Sequence, residues 1–110
     1  PTPQTLSQLG AAIHDRVPVH TLVIHPVAYA LALGGGGVAI TSGPTTKKPL
    51  ITTGAGDHFN SGFCLGRLLG LGTLDSLLCG VTCSGFYVRT AKSPGVTDLA
   101  RMLKDKTVRY

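Results

Sequence analysis

Apolar residues follow two alternating rhythms along the chain, helical spacing in four segments and short continuous runs in three others. Thr5-Leu6-Ser7-Gln8 has the form of a capping box, and Leu6, Leu9 and Ile13 follow at helical spacing, which predicts an amphipathic helix from Thr5 to Asp15. Val19 to Ile24 reads as a buried strand. Ala28 to Leu33 and Val38 to Thr41 read as two more, joined by Gly34 to Gly37, a hairpin tip that tolerates positive φ. Lys47-Lys48-Pro49 marks a loop. Asp57 to Leu69 then returns to helical spacing, with Phe59, Phe63 and Leu69 as expected core contacts. Gly62, Gly66 and Gly70 recur every fourth residue, so that a neighbouring helix can come close. Thr73 is the expected cap of the next helix, with Asp75 in its first turn, where a carboxylate complements the dipole. Leu74, Leu77, Leu78, Val81, Gly85 and Val88 keep the period until Pro94-Gly95, and Thr97 to Lys104 predicts a last short helix.

Composition narrows this picture. At 110 residues there is room for one small domain, and 43% hydrophobic with 14% charged residues describes a packed core rather than a disordered chain. The net charge of +5 is scattered from Arg16 to Arg109, with a single adjacent pair, Lys47-Lys48, and without interleaved aromatics. A nucleic-acid partner is therefore not expected, and a bias toward phosphate-bearing small molecules is the more modest inference. All five acids are Asp and none is Glu, so any chemistry that needs a glutamate must draw it from elsewhere. The odd count of three cysteines, with Cys79 and Cys83 four apart on one helix face, reads as reduced, buried thiols of a cytoplasmic protein. The absence of any CxxC pair and the irregular spacing of His14, His20, His25 and His58 argue against zinc. The uncharged interval Val17 to Thr46 is broken by prolines, histidines and glycines, which argues against a membrane span.

The segment that carries chemistry is Ile51-Thr52-Thr53-Gly54-Ala55-Gly56-Asp57-His58-Phe59-Asn60-Ser61-Gly62-Phe63, a β-like lead-in, a glycine turn and a helix. Free N–H groups and the helix dipole favour a phosphate at such a start, and the glycines let it approach the main chain. Asp57 in the same turn would repel that phosphate, unless its task is to take the proton from the group that attacks it.

This segment resembles the second signature of the PfkB (ribokinase-like) kinases of carbohydrates and nucleosides, D-T-x-G-A-G-D-x-F-x-x-G, which Thr52 to Asp57, Phe59 and Gly62 match position by position. The resemblance implies a three-layer α/β, Rossmann-like fold, present here in its C-terminal part over residues 1–110. It implies ATP-dependent phosphorylation, with Mg2+, of a hydroxyl on a sugar or sugar-like small molecule. By the same resemblance Gly54, Ala55 and Gly56 form the anion hole for the γ-phosphoryl, Asp57 is the base, and Thr53 borders the nucleotide. Ser84 to Gly95 resembles the stretch that closes over adenine, with Ser93 and Gly95 as the adenine-side candidates. His58 and Asn60 are read as helix-surface residues.

The departures are as specific as the match. Ile51 stands where an Asp that contacts sugar hydroxyls commonly opens the signature. The T-x-G-x-x-G strand-turn that borders the nucleotide aligns with Ile24-His25-Pro26-Val27-Ala28-Tyr29, without either glycine, and His25 is read as a strand-end residue. The N-x-x-E element associated with magnesium cannot occur without Glu. The chain, which starts at Pro1, is accordingly read as part of a longer kinase and as inactive alone. Its missing sheet strands should leave an apolar edge and face for the rest of the kinase or for a second copy. Among alternatives, a dinucleotide fold fails because Phe59 takes the place of the third glycine, and a P-loop lacks the glycine-Lys-Ser/Thr run. A non-catalytic nucleotide-binding or regulatory module of the same fold is the reading that Ile51 favours and Asp57 opposes.

Overall fold

The computed structural model describes residues Pro1–Tyr110. Helix α1 (Pro3–Arg16) starts earlier than the capping box suggests, because Thr2 is the cap: its Oγ1 accepts from the Thr5 amide at 3.2 Å, and Pro3 supplies a preset φ in the first turn. Strand β1 is short, Leu22–Ile24, and pairs antiparallel with β2 (Tyr29–Gly34), which pairs antiparallel with β3 (Gly37–Ser42). The β2–β3 pair is the hairpin expected from the sequence, and β1 extends it antiparallel on the other side, in the order β1-β2-β3. The chain between these strands is too short for the helical crossover a parallel pair needs. Gly34 and Gly37 face each other in the ladder, and the turn proper is Gly35-Gly36, with φ of 58° and 80° as a two-residue hairpin of primed type requires.

Alternation along the strands then sets three layers. On one face Leu31 and Leu33 are buried beside Leu22 and Ile24, under α1. On the other, Ala30 and Ala32 are buried with Phe59, Leu77 and Val81 from α2 (Ala55–Leu68) and α3 (Thr73–Thr90). Small residues on this second face let α3 lie close to the sheet, while α2, packed on α3, reaches the core through Phe59. Helix α4 (Val96–Lys104) packs on α3 through buried Leu99 and Met102. Because α1 covers β1 and β2 only, Val38 and Ile40 of β3 are left exposed on its side of the sheet.

The glycine spacing of α2 is resolved residue by residue. A Cβ on Gly62 would lie 2.5 Å from the Cys79 carbonyl oxygen, and one on Gly66 would lie 2.7 Å from the Ser76 Cα, so both sit where α2 meets the α3 backbone. Gly70 does not: it follows the helix with φ of 76°, in a left-handed turn. Leu69, expected in the core, is exposed because α2 has already ended at Leu68. Gly62→Ala is expected to destabilise the fold by about 1–3 kcal/mol, since backbone rather than a flexible side chain must move. A thermal melt of the full natural polypeptide measures this, and an unchanged Tm would mean that the two helices have slack the geometry denies them.

Three further expectations are corrected. Gly72, not Thr73, occupies the N-cap of α3, and no side chain caps that end. The helix stops at Thr90, ahead of Pro94-Gly95, where Ala91 adopts φ of 56° and the Thr90 hydroxyl accepts from the Lys92 amide. Of the thiols, Cys83 is buried, Cys79 half-buried and Cys64 exposed. Burial pushes both Cys79 and Cys83 upward and keeps them protonated, with Asp75 adding to the effect at Cys79.

Candidate active site

The glycine turn and the start of α2 take the form expected from the sequence. Gly54 is the N-cap residue, with φ of 91°, a conformation that costs any residue with a Cβ. Ala55, Gly56 and Asp57 make up the first turn. The Ala55 amide is taken by the Thr52 carbonyl at 3.1 Å, and the first amide to close the helix is that of His58, on Gly54 at the same length. The amides of Gly56 and Asp57 therefore have no carbonyl a turn behind them and are free, whereas that of Ala55 is engaged. Asp57 is exposed beside these amides. Its backbone carbonyl is engaged by Ser61 at 3.0 Å, while its carboxylate bonds to no other residue.

This turn opens onto a cavity of about 300 Å³. Thr52, Ala55 and Gly56 form its end at α2, Val81, Ser84, Gly85 and Val88 form the α3 wall, and Pro44 to Thr46 close the far side. Arg89 holds that far side in place. Its guanidinium donates to the carbonyls of Pro44 at 2.8 Å, Thr45 at 2.7 Å and Gly85 at 2.9 Å, so three of its five donors go to backbone and none to an acid.

Two histidines take part in these contacts. His25, beyond the end of β1, lines the cavity with Pro26 and Val27, which puts the degenerate strand-turn at the cavity rim. Its ring stacks on buried Phe59 with centroids 4.0 Å apart, and burial lowers its pKa, so a neutral ring faces the cavity. Spacing alone could not show this, because the contact joins a loop to a helix far away in sequence. His58 is not a surface residue. It is half-buried, stacked on Tyr87 at 3.7 Å and 11°, with Nδ1 2.7 Å from the Gly54 carbonyl and Nε2 2.8 Å from the Ser93 hydroxyl.

The remaining candidates are placed less centrally. Thr53 does not line the cavity; its carbonyl accepts from the Tyr87 hydroxyl at 2.9 Å. Neither Ser93 nor Gly95 lines it either: Ser93 meets His58, and Gly95 caps α4 while its amide donates to Asp98 at 2.8 Å. Ile51 is half-buried ahead of the turn, and Asn60 is exposed as expected. No three His, Cys, Asp or Glu side chains converge anywhere, and no helix is long and apolar enough to cross a membrane.

The layered fold with a glycine turn feeding α2 defines a class, that of the ribokinase-like kinases. Phosphofructokinase-2 from Escherichia coli superimposes with a TM-score of 0.74 over 92% of this chain and 33% of its own, at 16% identity, both as a point mutant and in complex with potassium. Within that class residues 2–106 match the prokaryotic ketohexokinase family, and the chain belongs to it. A ketohexokinase from Haloferax volcanii is 35% identical over 88 residues, 80% of this chain and 24% of that relative. The chain thus spans about a quarter of that relative's length. The PfkB resemblance read from Thr52 to Gly62 is borne out.

Proposed function

We propose that this segment supplies the phosphoryl-transfer part of an ATP-dependent carbohydrate kinase whose acceptor is a ketohexose. The observation that carries the reading is the pair of free amides at Gly56 and Asp57, opening beside an exposed carboxylate onto a cavity of about 300 Å³. On this reading Val81, Gly85 and Val88 would hold the adenosine part of ATP, and the Gly56 amide its phosphates. The Asp57 carboxylate takes the proton of the acceptor hydroxyl as that oxygen forms its bond to the γ-phosphorus. The bond from phosphorus to the ADP oxygen breaks, and ADP leaves. The Gly56 and Asp57 amides offset the charge that builds on the transferring group, without having to reorganise.

Magnesium, implied by the resemblance, finds no set of ligands among these side chains, since Asp57 is not joined by other acids or by histidines in a cluster. No metal site is assigned to this segment. The hydroxyl contacts of the sugar belong elsewhere in the protein, consistent with half-buried Ile51 in place of the usual Asp. The bare side of β3 at Val38 and Ile40 is where the rest of the kinase, or a second copy, would seat.

ADP release coupled to sugar phosphorylation, measured on the full natural polypeptide, tests the reading. Turnover with a ketohexose and ATP, well above that with aldohexoses, is expected. Nucleotide binding without turnover on any sugar would instead favour the non-catalytic module of the same fold.

A further inference from the structure

The two carbonyls just ahead of the free amides are both held by side chains. Tyr87 donates its hydroxyl to Thr53 O at 2.9 Å, and the His58 Nδ1 lies 2.7 Å from Gly54 O. The two rings stack with centroids 3.7 Å apart, and the second imidazole nitrogen lies 2.8 Å from the Ser93 hydroxyl in the α3–α4 connection. A carbonyl oxygen only accepts, so the bond to Gly54 requires the proton on Nδ1. In the neutral ring Nε2 then accepts from Ser93.

These bonds fall on the two peptide planes that flank Gly54, the residue of the turn with a left-handed φ of 91°. The Gly54 carbonyl also accepts the His58 amide at 3.1 Å and the Ala55 amide is taken by Thr52, so the ring adds a second bond to a peptide whose rotation at a glycine would swing a carbonyl toward the position an incoming anion must take. Fixing both carbonyls keeps the following amides aimed at that position before any ligand arrives, which is the condition under which a hydrogen-bond donor contributes most to catalysis.

We infer that His58, Tyr87 and Ser93 form a latch that presets the anion hole, with His58 as a positioning residue acting through Gly54. The inference rests on the proposed phosphoryl-transfer reading and is tested so that the two can fail separately. In the full natural polypeptide His58→Phe keeps the ring stack but loses both hydrogen bonds. It is expected to lower kcat by about 10- to 100-fold, somewhat less than removal of an oxyanion donor itself, with little change in KM for ATP. His58→Asn restores a donor near the Nδ1 position and should recover most of that loss, and Tyr87→Phe should weaken turnover in the same direction.

Long-range proton–nitrogen correlation in the unmodified protein should show a proton on His58 Nδ1, a readout independent of activity. A His58→Phe enzyme at normal kcat beside an inactive Asp57→Asn enzyme overturns the latch and leaves the kinase reading standing. Normal activity in both overturns the latch and the assignment of Asp57 as the base, while the phosphoryl-transfer reading stands. Equal losses in His58→Phe and His58→Asn, accompanied by a lowered Tm, or a ring without a proton on Nδ1, mean that His58 is structural and also overturn the latch.

Discussion

Asp57→Asn in the full natural polypeptide is expected to lower kcat by about 10²–10⁴ while leaving nucleotide affinity nearly unchanged, the loss that removal of a general base produces. Asparagine keeps the size and polarity of the side chain but cannot take the hydroxyl proton. The structure sharpens the contrast with a purely structural role. Gly54, not Asp57, is the N-cap of α2, and the carboxylate holds no partner, so its stabilising effect is limited to its interaction with the helix dipole. That effect is about 0.3–1 kcal/mol at an exposed position, equivalent to a small fall in Tm. Phosphoryl transfer, ATP binding and melting temperature measured on one preparation separate the outcomes. A mutant with near-normal kcat would sink the assignment of the base, whatever happens to Tm.

The parts of the fold that were legible in the sequence are those fixed by local chemistry. Four glycines in a row between two apolar runs announce a hairpin, and Gly35 and Gly36 take the positive φ values that such a turn requires. Glycines spaced four apart announce a close helix contact, and Gly62 and Gly66 make one. The Thr52-to-Gly62 signature led directly to a helix start with free amides, because the cap, the turn and the dipole all lie within a few neighbouring residues.

What was not legible depends on residues far apart in the chain. His58 looks like a solvent-facing helix position until Tyr87 comes down from α3 to stack on it and Ser93 closes on its other nitrogen. His25 looks like the end of a strand until Phe59 rises beneath it. Ser93 and Gly95 stand outside the cavity for a related reason. Because α3 ends early, at Thr90, those residues swing away to the α3–α4 connection, and Ser84, Gly85 and Val88, a turn or two earlier, face the cavity instead. The helix end itself rests on Ala91 accepting a left-handed φ, which no propensity scale anticipates for alanine.

Gly54→Ala and Gly56→Ala are expected to act in opposite directions on stability and in the same direction on turnover. Gly54 has a left-handed φ, and a Cβ there would lie 3.1 Å from the Tyr87 hydroxyl, so alanine strains the turn and presses on the ring that holds Thr53. A cost of about 1–2 kcal/mol follows from the backbone alone, and Tm should fall. Gly56 lies inside the first turn of α2, and a Cβ on it meets nothing within 4 Å, so alanine is sterically free and gains helix propensity, up to about 1 kcal/mol. Its Tm should hold or rise. Yet Gly56 lines the cavity, and its amide is one of the two free donors, so a methyl group there would stand where the proposed function puts a phosphoryl oxygen. Losing that approach is expected to reduce kcat/KM for ATP by about 10²-fold or more, the scale set by loss of an oxyanion donor. A protein that melts higher and turns over far more slowly is the signature of a glycine kept for its ligand rather than for its fold. Should Gly56→Ala prove both stable and fully active, the phosphoryl group is not held at this helix start, and the anion hole must be sought elsewhere in the protein.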